Sequence, residues 1–167
     1  ETSGRSTDAG IDGENLGGGS ASGNNSASPS TSANFEFQAE INRAISHINE
    51  GRFKSAVESC DQLILLQPEN ADPYYLQGVA YHCAGDLGAA RRCLERSVAI
   101  NDANPEALMY LGDILIGADA LDDAAGCFAR VVELVPGETT PLNNLCHVLQ
   151  RQERFEKLVE VIEKVAE

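Results

Sequence analysis

The chain has 167 residues, of which 26 are acidic and 12 are lysine or arginine, so its net charge is −14 at neutral pH. This charge argues against a nucleic-acid partner, because binding to a phosphate backbone needs clustered lysine and arginine. No apolar stretch reaches the ~20 residues that span a bilayer, and we expect a soluble cytoplasmic protein without a membrane span.

Residues 1–34 differ from the rest of the chain in composition. They are rich in glycine, serine and asparagine, include the run Gly17-Gly18-Gly19-Ser20, and contain almost no large apolar side chains. Such a segment cannot bury enough apolar surface to offset the entropy lost on ordering. We therefore predict a disordered leader or linker over 1–34, with binding or modification of this segment as the alternative, and a folded region over 35–167 whose helical pattern starts near Phe35.

Within the predicted folded region, the same residue types recur every 34 residues. A fixed period of this length indicates a solenoid of stacked units, each of which buries its apolar face against its neighbours. The units are predicted to span residues 37–70, 71–104, 105–138 and 139–167. The recurring positions are Ala44, Gly78, Gly112 and Cys146; Phe53, Leu87, Leu121 and Phe155; and Ala56, Ala90, Ala124 and Leu158.

Each unit reads as two helices joined by a turn. Apolar residues three and four apart, such as Ile41, Ala44 and Ile48, lie along one stripe of a helix. Gly51 and Gly85 fall between the two stripes of their units, where a helix end favours a left-handed residue. Gly78 and Gly112 lie within helices although glycine costs roughly 1 kcal/mol there, so we expect a close approach of the paired helix.

The recurring residues resemble those of the tetratricopeptide repeat family, whose unit is a helix, a turn and an antiparallel helix. The resemblance covers about residues 37–167. It implies an all-α, right-handed superhelical solenoid of antiparallel helix pairs with about four units, the last incomplete or uncapped. In the second unit Asp102 replaces the expected proline, and the break shifts to Asn104-Pro105. The third unit matches best, through Leu108, Leu111, Gly112, Leu115, Ala124, Phe128, Val131 and Pro136.

In this family, inward-facing side chains on the first helix of each unit line a groove that binds peptides. Packing against neighbouring helices is the alternative role for Tyr75, Leu76 and Met109. Carried over residue by residue, the resemblance places these residues in the groove: Asn42, Ile45 and Asn49 from the first unit; Tyr75, Leu76, Val79 and His82 from the second; Met109, Tyr110 and Asp113 from the third; and Asn143, Asn144, His147 and Arg151 from the fourth.

The resemblance implies a protein-interaction scaffold that binds an extended or helical peptide. Family members that clamp the carboxylate ends of chaperone tails use lysine, arginine and asparagine in the groove, whereas here Ile41 and Tyr75 stand where a lysine is needed. The central positions are apolar and aromatic, and the chain is strongly acidic. We therefore expect a protein or peptide partner with apolar or basic character.

Neither catalysis nor a cofactor or metal is expected. The five cysteines contain no C-x-x-C pair and are odd in number, so they indicate neither a zinc cluster nor a closed disulfide framework. His82-Cys83 and Cys146-His147 are sequence neighbours, but adjacent residues on a helix point about 100° apart and seldom form a nucleophile and base pair.

Two other functions stay open at this point. Asn42 and Asn144 resemble the inward asparagines of the repeat arm of protein O-linked N-acetylglucosamine transferases, which would make the chain the substrate-recruiting arm of a larger glycosyltransferase, sulfotransferase or methyltransferase. The last predicted helix, through Leu158, Ile162 and Val165, lacks the polar helix that usually closes such arrays. Self-association as a homo-oligomeric scaffold is therefore the second alternative, and light scattering tests it.

Overall fold

The structure, a computed structural model, describes the backbone of residues 29–166 and the side chains of residues 33–164. Consecutive helices pair in antiparallel fashion, and the described residues form the all-α, right-handed superhelical solenoid that the sequence predicts. The helices are α1 (Pro29–Asn49), α2 (Phe53–Leu66), α3 (Ala71–Ala84), α4 (Leu87–Ile100), α5 (Pro105–Gly117), α6 (Leu121–Leu134), α7 (Thr139–Arg151) and α8 (Phe155–Ala166).

Helix α1 begins earlier than the sequence predicts. It starts at Pro29, six residues before the predicted boundary at Phe35. Proline fits the first turn of a helix because its missing amide leaves no donor unsatisfied and its fixed φ is already helical. The predicted disordered leader otherwise falls on residues 1–28, which lie outside the described residues.

Small residues allow the two helices of a pair to approach closely. A Cβ atom built on Gly78 would lie 2.7 Å from Cγ of Leu94, and one built on Gly112 would lie 2.6 Å from Cζ of Phe128. Leu94 and Phe128 are fully buried and cannot easily move away. The close approach predicted at both glycines is thus confirmed, and it explains why each helix tolerates a residue that weakens it.

An asparagine side chain caps the beginning of the first helix in the second and third pairs. The side chain of Asn104 accepts a hydrogen bond from the backbone N–H of Ala107 at 2.9 Å, and Pro105 occupies the first turn of α5. Asparagine is among the best N-cap residues, and proline suits the position that follows it. The break predicted at Asn104-Pro105 is therefore confirmed.

The turn inside each pair contains one residue in the left-handed conformation. Gly51 and Gly85 have φ angles of 73° and 85°, as predicted for both glycines. The equivalent turns of the third and fourth pairs hold Asp119 and Glu153, with φ angles of 59° and 56°. The geometry of the turn therefore persists without glycine, at a cost of about 1 kcal/mol for a residue with a side chain.

The apolar core runs along the stack in two neighbouring clusters. The first joins α1, α2 and α3 through residues such as Ala44, Cys60 and Leu76. The second joins α4 to α7 and includes Phe128 and Leu145, with Leu158 and Val161 of α8 packed against its edge. Each helix pair is thus stabilised mainly by its neighbours along the chain, as in other stacked repeats.

Within the described residues, nothing covers one apolar stripe of α8. Phe155 is 58% exposed, and Val159 and Ile162 are each 52% exposed. Ala125 and Phe128, which lie one period before Val159 and Ile162, are buried. Self-association through this helix stays a prediction. Within residues 29–166, no helix combines the length and apolar character needed to cross a membrane.

Candidate functional site

Side chains from three helices meet on one surface of the solenoid. The ring of Tyr110 on α5 lies 6.3 Å from that of Tyr75 and 5.2 Å from that of His82, centroid to centroid, and both partners are on α3. Asn144 on α7 donates from Nδ2 to Oδ1 of Asp113 on α5 at 3.5 Å. We call Tyr75, His82, Tyr110, Asp113 and Asn144 the inner surface.

The helical period brings these residues to one face. Tyr75 and His82 are seven residues apart, which is about two turns, and Tyr110 and Asp113 are three residues apart. The first helices of successive pairs stack side by side, so the stripe on α3 lies next to the stripe on α5. Tyr75, His82 and Tyr110 are half-buried, which leaves part of each ring accessible to a partner.

Five residues predicted to line the groove belong wholly or partly to the core. Leu76 and Val79 are each only 8% exposed, and Leu76 packs with residues of α1 and α2. Packing is therefore the role of Leu76, and neither residue offers surface to a partner. Met109, Tyr75 and Tyr110 are half-buried and pack against the larger core cluster, and Tyr75 also packs against the smaller one. The three side chains therefore contribute to packing and retain some accessible surface.

The remaining predicted groove residues take no part in the ring contacts of Tyr110 or in the hydrogen bond between Asn144 and Asp113. Arg151 donates from one guanidinium nitrogen to Oδ1 of Asp119 at 2.8 Å. This ion pair joins the third and fourth helix pairs and neutralises the charge of Arg151. Asn42 accepts a hydrogen bond from Gln38 within α1, and the recruiting-arm alternative, which depends on Asn42 and Asn144, stays a prediction. Exposed positions are held by Asn42, Ile45, Asn49, Asn143 and His147.

Sequence reasoning missed the polar links that fasten the last helix pair to the third. Asp122 at the start of α6 accepts hydrogen bonds from Gln152 at 2.9 Å and from Arg154 at 3.1 Å. Because the turn of one pair lies above the turn of the previous pair, residues slightly less than one period apart come together. Acidic and basic residues at that separation in the sequence could have predicted these contacts.

The electrostatics of the inner surface combine neutral rings with one carboxylate. Burial raises the pKa of Tyr75 to about 12, with smaller contributions from Tyr110 and Glu106, so its hydroxyl remains a neutral donor at physiological pH. Desolvation by the surrounding helices raises the pKa of Asp113, and the nearby His82 partly offsets this effect. The carboxylate thus sits in an environment that favours its charged form less than water does.

We expect Asp113→Asn to raise the melting temperature slightly at neutral pH, because the side chain is exposed and solvent screens much of the unfavourable effect of its partial desolvation. Because the folded pKa of Asp113 lies above its unfolded value, ionisation opposes folding at any pH above both values. That penalty fades as the pH falls through the folded pKa, so the gain from the substitution should shrink on acidification. His82 on α3 acts electrostatically on this carboxylate, and Asn144 on α7 donates a hydrogen bond to it.

The control is Asp72→Asn in the first turn of α3, which also removes one negative charge. A carboxylate at that end of a helix is favourable, so this variant should melt slightly lower. Differential scanning fluorimetry across a pH series measures both. A lower melting temperature for Asp113→Asn at neutral pH would contradict the desolvation of the carboxylate.

The described residues show no sign of a metal centre. Within that part of the chain, no group of three or more histidine, cysteine, aspartate or glutamate side chains converges in a way that could hold an ion. Burial also raises the pKa of Cys60 to about 12 and that of Cys127 to about 11. Both thiols are therefore protonated and poorly nucleophilic at physiological pH.

A family model described as tetratricopeptide repeat matches the chain twice, over residues 41–96 and 84–139. Together the two matches span residues 41–139, which is more than half of the chain. Comparison with curated protein sequences found no match.

Solved structures with the same fold share little sequence with the chain. A crystal structure of MamA superposes with a TM-score of 0.68 at 19% identity, covering 78% of this chain and 76% of MamA. The first TPR domain of Spaghetti (RPAP3), bound to the HSP90 peptide SRMEEVD, has a TM-score of 0.65 at 19% identity, covering 70% of this chain and 93% of that domain. The second TPR domain of human RPAP3, in complex with the HSP70 peptide SGPTIEEVD, has a TM-score of 0.62 at 19% identity and covers 69% and 96%.

Proposed function

The chain belongs to the tetratricopeptide repeat family, and we propose that it is a protein-interaction scaffold whose inner surface binds a peptide segment without catalysis of its own. The observation that carries the proposal is the contact of Tyr110 with Tyr75 and His82 while all three rings remain partly accessible. Tyrosine contributes strongly to binding because it offers a large rigid surface with a polar tip.

The inner surface favours apolar anchors and positive charge in the partner. Two of the similar structures hold peptides that end in EEVD, and an acidic end of that kind needs cationic side chains around it. The inner surface has a carboxylate, Asp113, and contains no lysine or arginine. Together with a net charge of −14, this composition supports a partner that carries one or two large apolar side chains and basic residues.

A selection from a random peptide library displayed on phage tests the proposal. Enriched peptides should combine aromatic or long aliphatic residues with lysine or arginine, and fluorescence anisotropy should show them to bind at least about tenfold more tightly than SRMEEVD. Enrichment of peptides with acidic carboxyl ends, or equal affinity for SRMEEVD, would contradict the proposed partner class.

Tyr110→Ala should weaken the binding of a selected peptide by about tenfold or more, because it removes the ring that contacts both Tyr75 and His82. The matched control is Tyr74→Ala. Tyr74 neighbours Tyr75 in α3, but its ring lies 5.8 Å from the guanidinium carbon of Arg96 on α4, away from the inner surface. We expect the control to bind normally, and equal losses of affinity in the two variants would count against a site on the inner surface.

A further inference from the structure

Asp113 is a carboxylate with spare hydrogen-bonding capacity beside aromatic rings. It lies one turn along α5 from Tyr110, so the two side chains are neighbours on the helix surface, and His82 acts on it from α3. Its one hydrogen bond within the described residues comes from Asn144 at 3.5 Å, which is long. An ionised carboxylate offers about four acceptor positions, so most of them remain available to a bound molecule.

No arginine in the described part of the chain forms an ion pair with Asp113. Arg151, which lies on α7 as Asn144 does, is instead paired with Asp119 at 2.8 Å. Of the arginines described, only Arg92 lacks an acidic partner. The other ion pairs are Arg43–Glu40, Arg52–Glu50, Arg91–Glu95, Arg96–Glu69, Arg130–Asp102, Arg130–Glu133 and Arg154–Asp122.

The cost of this arrangement points to a ligand. The side chain of Asp113 is exposed, yet neighbouring atoms remove part of its hydration and raise its pKa, and His82 offsets this effect only partly. Partial desolvation of a carboxylate that is not paired with an arginine lowers stability. Proteins retain such unfavourable groups where binding requires them, since activity and stability commonly conflict. Burial of the equivalent position one period earlier, which holds Val79, shows that this slot accepts an apolar side chain without difficulty.

The surrounding rings favour a guanidinium group over other cations. The rings of Tyr75 and Tyr110 are inclined by 57° and do not stack face to face, so they do not cover each other's faces. An arginine side chain can lie against such a face while its N–H groups donate to a carboxylate in a two-pronged arrangement. Lysine has a compact, strongly hydrated charge and makes only the second of these contacts well.

We infer that Asp113, Tyr110 and His82 form a subsite for a single arginine side chain of the bound partner. The inference rests on the proposed peptide-binding function and deepens it by naming the chemistry recognised at one position. Apolar anchors bind beside Tyr75, and the arginine binds where the rings meet the carboxylate.

The first test needs no knowledge of the natural partner. Protein labelled with ¹⁵N is titrated by NMR with N-acetyl-L-arginine methylamide, and in parallel with the corresponding lysine and glutamate derivatives. The arginine probe should shift amide signals around His82, Tyr110 and Asp113 in a saturable way. It should bind more tightly than the lysine probe, and the glutamate probe should produce no saturable shift.

Asp113→Asn provides the matched variant, because it keeps the shape of the side chain and should remain folded. Loss of the charge should weaken the arginine probe by about tenfold, as for other hydrogen bonds to charged groups. Absence of a saturable shift in the wild-type protein, or equal affinity of the arginine probe for Asp113→Asn, would overturn the subsite.

Charge reversal separates this inference from the proposed function. A library selection with Asp113→Lys should lose the preference for arginine, gain acidic residues, and keep aromatic anchors that depend on Tyr110. If selected peptides depend on Tyr110 but not on Asp113, the subsite is wrong and the peptide-binding function stands. If the arginine probe depends on Asp113 while no peptide depends on Tyr110, the proposed function is wrong and the subsite stands.

Discussion

Replacing Phe128 with alanine should lower the free energy of unfolding by about 3–5 kcal/mol, the usual cost of truncating a buried aromatic side chain. Phe128 is 0% exposed and packs in the cluster that also holds Leu145 of α7. Its ring contacts Gly112 at the crossing of α5 and α6. The truncation therefore weakens the third helix pair and its junction with the fourth. Urea denaturation followed by circular dichroism measures the change.

Phe155→Ala is the matched control for this prediction. Phe155 is 58% exposed at the start of α8, so its truncation should change the free energy of unfolding by no more than about 0.5 kcal/mol. A loss below about 1 kcal/mol for Phe128→Ala, or similar losses in both variants, would contradict the position of Phe128 at the centre of the core.

The second large effect is expected from adding a single methyl group at Gly112. In Gly112→Ala the new Cβ would lie 2.6 Å from a carbon of the Phe128 ring, which is buried and cannot turn away. Overpacking costs about 1–3 kcal/mol, and such a short contact places the cost near the top of that range. The better helix propensity of alanine returns about 1 kcal/mol, so the net loss should be about 2 kcal/mol.

The same substitution at Gly126 should have the opposite sign. Gly126 lies within α6, and a Cβ atom built on it meets no other atom within 4 Å. Gly126→Ala should therefore raise the free energy of unfolding by about 0.5–1 kcal/mol. Chemical denaturation of the two variants gives a direct comparison, because both gain the same helix propensity. Stabilisation by both substitutions would mean that α5 and α6 do not cross at Gly112.

The helix pairs and their close contacts could be predicted from the sequence because their causes are local and repeat. Glycine within a helix is unfavourable unless space is limiting, so Gly78 and Gly112 predicted where the paired helices cross. Gly51 and Gly85 likewise predicted left-handed turns. Asp119 and Glu153 adopt the same conformation without a glycine to indicate it, although aspartate enters the left-handed region more readily than most residues with a side chain.

The exposure of inner residues could not be predicted from their place in the repeat. Leu76 and Tyr110 occupy equivalent positions one period apart, yet Leu76 is buried and Tyr110 is half-exposed. Leucine ends inside the core, whereas the longer tyrosine reaches its surface. Val79 and Asp113 differ in the same way. Register determines the direction of a side chain, and its length and polarity determine how much of it a partner can contact.

Contacts between long side chains could not be predicted from the sequence either. The sequence places Arg151 on the inward side of its helix, but the structure pairs its guanidinium with Asp119 in the turn of the preceding unit. A flexible arginine reaches several directions from one backbone position, and the nearest carboxylate decides among them. The ring contacts of Tyr110 with Tyr75 and His82 depend on side-chain rotamers in the same way.

The measurement that tests the central proposal most directly is an NMR map of a selected peptide on ¹⁵N-labelled protein. We expect the perturbed amides to cluster along the inner surface on α3, α5 and α7, with the largest changes near Tyr75, Tyr110 and Asp113. A map centred on α4 and α6, or on the exposed stripe of α8, would contradict binding at the inner surface.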